Sequence, residues 1–310
     1  MPDYDDTVMT ARLEKIDYPQ FTAELIELAT ASGDASVAAV AGLFARQPQE
    51  SVLLASQAAT RLPDDPTVLW IATQLCAGDR ARDAQCQLAE WQSRLTRLDA
   101  DNATVWMESA VTAWSNGDRL HARAALEQAV AAPHSHSYFT QKIRLVTRVL
   151  TGHDGADFAE AASHGFGVAA STLPNYSNWL RMCREVESEG LNWASRCTDF
   201  WQAEYRRATE KLSQMLAAEQ LRNIFERQGL VLPDDLPRRE SLTYDEPSRA
   251  SQDALLLEER RFGGYLFANP DHLEQFLSLI EAEGEDAARQ TLLQQRQSML
   301  EEGRYRECVK

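Results

Sequence analysis

The segment Asp65-Pro66-Thr67-Val68-Leu69-Trp70 returns 36 residues later as Asp101-Asn102-Ala103-Thr104-Val105-Trp106. Each copy opens a helical pattern, and each pattern breaks at a Gly-Asp pair, Gly78-Asp79 and Gly117-Asp118. A second helical pattern follows each break. It carries Ala84, Leu88 and Trp91 in one copy and Ala122, Leu126 and Ala129 in the other. A helix–turn–helix unit with a period in the mid-thirties cannot bury its apolar face alone and must stack on a neighbour. The expected fold is therefore all-α, built from antiparallel helical hairpins stacked as a solenoid.

Composition agrees. The 310 residues include 44 alanines against 14 glycines and 11 prolines. Alanine has the lowest cost in a helix, glycine and proline the highest. Gly and Pro also punctuate the pattern upstream. Helices are expected over about 20–31, ending at Gly33, over about 36–46, ending before Pro48, and over about 50–61, stopped by Leu62-Pro63-Asp64-Asp65-Pro66.

The second copy resembles the tetratricopeptide repeat family. Trp106, Ala110, Gly117, Ala122, Leu126, Ala129 and Pro133 fall on or within one residue of that family's signature spacing. The first copy departs from it, because its first helix is about three residues shorter before Gly78. The resemblance spans about residues 36–133 and bears on fold before function. It implies that the first helix of each hairpin lines a concave surface. On this chain Thr104, Met107, Val111, Trp114 and Ser115 would face that groove, joined by Ile71 and Leu75 of the preceding unit. Family members that clamp a peptide carboxylate use Lys, Arg and Asn there. This groove is mainly apolar, which implies an apolar or amphipathic segment of another protein as partner. The other possibility at this stage is that later helices, 137–230, fill the groove as core.

Beyond Pro133 a helix is expected over about 137–151, followed by a glycine-rich interruption at 152–173 and a helix opened by Pro174. From Leu191 a period near 3.6 runs to Gly229, which predicts one helix of about 38 residues, roughly 57 Å long. Residues 1–230 read as a helical body, 231–253 as a proline-broken linker, and 254–310 as a C-terminal helical segment. The last holds helices at about 270–283, 285–301 and 303–308.

Charge narrows the partners. With 47 acidic and 31 basic residues, the formal net charge is −16. That argues against a nucleic-acid backbone or an anionic membrane surface as main partner. Residues 1–66 hold 11 acidic and 4 basic residues, and 232–310 hold 17 and 10. The acidity thus belongs to the ends and the middle is nearly neutral. No run of 18 apolar residues exists, and the first residues, Met1-Pro2-Asp3-Tyr4-Asp5-Asp6, are acidic. The expected compartment is the cytoplasm.

No cofactor, metal or catalytic set is expected. Gly165-Phe166-Gly167-Val168-Ala169-Ala170 matches G-x-G-x-x-A, but no buried strand precedes it, so it reads as a flexible or tightly packed loop. His134-Ser135-His136 is the one close histidine pair. Alternate spacing can chelate a metal on a strand, but this segment reads as a loop of turn and cap residues with no carboxylate near it in sequence. Cys183 and Cys197 lie nearly level about a turn at Glu189-Gly190, and Cys76 and Cys86 out of level. Buried free thiols are expected for a reducing compartment, although the first pair could bond. The acidic cluster Glu281, Glu283, Glu285 and Asp286 falls at a helix junction, where some of it would favour the next helix's N-terminus. The preferred function is a non-enzymatic scaffold or adaptor that binds another protein. Two alternatives stand beside it. One is an acidic immunity protein or secretion chaperone that neutralises a basic partner. The other is an enzyme assembled from distant helices around His153, His164 and Glu160.

Overall fold

The computed structural model describes residues 18–77, 86–153, 156–187, 191–233, 236 and 261–304. These residues are all-α. Fourteen helices are bounded: α1 (Tyr18–Ser32), α2 (Ala35–Phe44), α3 (Pro48–Arg61), α4 (Pro66–Leu75), α5 (Leu88–Leu98), α6 (Ala103–Ser115), α7 (Arg119–Ala131), α8 (Phe139–His153), α9 (Phe158–Ser171), α10 (Tyr176–Glu187), α11 (Leu191–Arg207), α12 (Lys211–Gln228), α13 (Pro270–Glu283) and α14 (Glu285–Glu301). No strand occurs among the described residues. No helix there is long and apolar enough to cross a membrane. The expected linker, 231–253, and the segment at 303–308 lie largely outside the described residues. The chain divides into two compact units, Lys15–Cys197, and Met1–Glu14 with Thr198–Lys310.

In the first unit the helices start where the sequence supplies a cap. Asp34, Asp65, Asn102, Asp118 and Asp157 each turn a side-chain oxygen to the free N–H groups of the following helix. Trp70 and Met107, each in the helix that follows one of these caps, Asp65 and Asn102, are both fully buried. Trp106 sits one position before Met107, is only part buried, and donates its indole N–H to Ala100 O at 2.7 Å.

Consecutive helices pack as hairpins, α2 on α3, α6 on α7 and α8 on α9. The core runs through Leu25, Val40, Leu69, Trp70, Leu95, Val146 and Leu150. The stretch expected as a glycine-rich loop is instead α9. Its Gly165 serves helix packing: a Cβ there would meet Ile143 O at 3.0 Å and Ile143 Cα at 3.2 Å on α8. Lys142, buried on α8, caps the C-terminus of α9 by donating to Thr172 O at 2.7 Å and Ala169 O at 3.3 Å.

Both cysteine pairs are disulfides, Cys76–Cys86 and Cys183–Cys197. Free thiols are the expectation from sequence, with Cys76 and Cys86 out of level across a turn. Helix α5 begins only at Leu88, so Cys86 lies in the connection and can turn back to Cys76.

The single long helix expected from Leu191 to Gly229 is two, broken at Ala208–Glu210. Tertiary partners satisfy the backbone groups that the break releases. Gln214 Nε2 donates to Ala208 O at 2.8 Å, Glu285 N to Thr209 O at 2.9 Å, and Lys211 N to Glu285 Oε2 at 2.9 Å. Glu285 thus caps α12 as well as opening α14. The stripe Leu273, Phe276, Leu277 and Ile280 of α13 is buried.

Candidate functional site

Two places on the first unit bring chemistry-bearing residues together. The first is the face of α4 and α6 that the repeat resemblance marks as a groove. Ile71, Leu75, Thr104, Met107, Val111 and Trp114 are all buried there, and Ser115 is exposed. Helix α10 lies on this face of α6. Trp179 of α10 is fully buried and donates its indole N–H to Glu108 Oε1 at 2.8 Å. The Arg181 guanidinium stands 5.4 Å from the Trp114 ring centre, and Arg119 stands 5.5 Å from it. Glu108 follows Thr104 and precedes Val111 by one turn each, so the helix itself puts this carboxylate among the groove residues.

Burial dominates the electrostatics of Glu108. It pushes the carboxyl up from 4.5 to about 7, against hydrogen bonds from Trp179, the Asn175 backbone and Gln74 that favour the charged form. Gln74 and Asn175 also line a cleft of about 510 Å³, with Leu75, Ser51 and Thr172. Trp114 Nε1 is buried and meets no acceptor among the described residues.

The second place joins two connections. Asp99 ends α5, and His134 and His136 lie between α7 and α8. A parallel bridge between Asn102 and His134 ties the connections, with Ala103 N donating to His134 O at 2.9 Å. Burial alternates over residues 134–137, with Ser135 and Ser137 buried and His134 and His136 part exposed. Each histidine Nε2 faces the same carboxylate, His134 at 3.8 Å and His136 at 3.6 Å. The three donor atoms lie within 4.8 Å of one another.

The support around this cluster is dense. Asp99 Oδ2 accepts from Tyr138 Oη at 2.5 Å and from Asn102 Nδ2 at 2.9 Å. Asn102 is fully buried, and its Oδ1 accepts from Thr104 N and His136 N, both at 3.2 Å. Tyr138 has φ 58°, the one positive value outside glycine among the described residues. Such a conformation costs about 1–3 kcal/mol and persists only where surroundings impose it. Here the ring stacks on Trp70 at 5.2 Å and meets His136 edge-on at 4.8 Å. Burial and the Asp99 charge push the Tyr138 hydroxyl far up, so it stays a hydrogen-bond donor.

No family model, curated protein or solved structure matches this chain.

The catalytic alternative fares differently. His164 stacks on Phe21 at 5.3 Å and meets Phe44 edge-on at 5.9 Å. Burial lowers its pKa. Glu160 stands in the first turn of α9, and the side chain of His153 lies outside the described residues. The sequence missed Asp99 and Glu108. Asp99 becomes a partner of the histidines only through the bridge between two connections. Glu108 had a sequence signal, a lone carboxylate on an apolar helical face.

Proposed function

We propose that this chain is a non-enzymatic helical scaffold, similar to tetratricopeptide repeats, that binds an amphipathic helical segment of another protein on the α4–α6 face. One observation carries the reading: the chain's own α10 occupies that face. It is an amphipathic helix, with Trp179, Met182 and Cys183 buried and Arg184 and Glu185 exposed. It bonds Glu108 through Trp179 and stacks Arg181 on Trp114. The unfilled donor of Trp114 leaves a polar contact for a better-fitting segment. The two disulfides support an oxidising compartment in place of the expected cytoplasm.

The test is affinity capture from the native cell at two salt concentrations, followed by mass spectrometry. A partner on this apolar face resists salt, whereas one held by the acidic termini does not. Trp179→Ala, which loosens α10, should increase capture of the salt-resistant partner, and Met107→Glu should abolish it. An unchanged partner set in both variants sinks the proposal.

A further inference from the structure

The donor atoms of Asp99, His134 and His136 converge on one point. Both histidine–carboxylate separations, 3.8 and 3.6 Å, exceed hydrogen-bond length. They are close to what a shared ion requires. Tetrahedral Zn²⁺ with bonds of about 2.0–2.1 Å sets its ligand atoms roughly 3.4 Å apart. The widest spacing in the cluster, within 4.8 Å, closes by rotation of a part-exposed ring.

We propose that Asp99, His134 and His136 form a binding site for a divalent transition metal ion of the Zn²⁺ class. Two imidazoles and one carboxylate suit that class and disfavour Ca²⁺ and Mg²⁺, which take oxygen donors. The two carboxylate oxygens have separate tasks. Tyr138 and Asn102 hold Oδ2, the oxygen 3.6 Å from His136 Nε2, and leave Oδ1, 3.8 Å from His134 Nε2, to ligate. Asn102 Nδ2 faces His136 Nε2 at 3.3 Å. The orientation of this amide follows from its Oδ1, which accepts two backbone N–H groups. The two amide hydrogens have nearer acceptors, Asp99 Oδ2 at 2.9 Å and His136 O at 3.1 Å, which leaves the Nε2 lone pair of His136 for a metal. Supports of this kind orient the ligands of metal sites.

The His134 side chain is 44% exposed, against 22% for His136 and 18% for Asp99. The fourth coordination position therefore opens outward past His134, to water or to a ligand atom from outside the chain. Three protein ligands and an open fourth position distinguish this centre from a closed structural zinc site.

The experiment is titration of the full-length, disulfide-intact protein with Zn²⁺ against a competing chelator, with Co²⁺ as optical probe. One equivalent should bind, and Co²⁺ should show the intense visible absorption of a tetrahedral nitrogen–oxygen site. His134→Ala and Asp99→Asn should each weaken Zn²⁺ binding by roughly 100-fold or more, beyond the 10–100-fold typical of a lost supporting partner. Thermal melting without metal checks that the variants fold. Undiminished Zn²⁺ binding in a folded His134→Ala protein overturns the proposal. If that variant does not fold, the unmodified protein decides: tetrahedral Co²⁺ absorption supports the site, and weak octahedral absorption or no binding overturns it.

Discussion

Replacing Glu108 by Gln tests how α10 is held on α6. The Glu108 carboxyl is raised from 4.5 to about 7, and burial is the largest cause. In the unfolded chain it ionises near 4.5. Between these two values the folded protein keeps a proton that the unfolded chain has lost. Stability therefore falls as pH rises from about 4.5 to about 7, then levels off. A pKa difference of about 2.5, at about 1.4 kcal/mol for each, makes the loss about 3 kcal/mol. Gln keeps an acceptor for Trp179 Nε1, and the Gln74 amide can turn to accept from the new side-chain NH2. The variant should match wild type near pH 4.5 and exceed it by up to about 3 kcal/mol at pH 8. Urea unfolding at several pH values checks this, read as the difference between the proteins so that other titrating groups cancel. A difference that stays constant from pH 4.5 to 8 refutes the reasoning. It would mean that the hydrogen bonds from Trp179, Asn175 and Gln74 cancel the effect of burial.

The glycines of α9 should respond in opposite directions. Gly165→Ala pushes a Cβ against backbone atoms of Ile143 and should cost about 1–3 kcal/mol. Exposed Gly167 has nothing within 4 Å of an added Cβ, so Gly167→Ala should stabilise by up to about 1 kcal/mol in the same urea assay. Two disulfides engage four of the five cysteines. Denatured, unreduced protein purified from its native cell should therefore titrate one thiol, rising to five on reduction. Five thiols before reduction would return the chain to a reducing compartment.

The legible features were those carried by neighbouring residues. Glycine and proline stops and the apolar face of α6 act within a few positions, so sequence order reveals them. The misread features depend on partners far along the chain. Gly165 looked like a loop residue because its partner, the Ile143 backbone, is on another helix. Leu191 to Gly229 looked like one helix because its apolar period runs on through Ala208–Glu210, while the group that caps the break comes from Glu285.

By itself the sequence determined helix content, hairpin punctuation and an apolar face on α6. All three follow from backbone propensity and a 3.6-residue period. The tertiary structure decided what that face meets, since only packing lays α10 across it. Packing also brings Asp99 to His134 and His136. Side chains that converge through separate connections leave no spacing rule to read, and the chemistry they form exists only once the hairpins are in place.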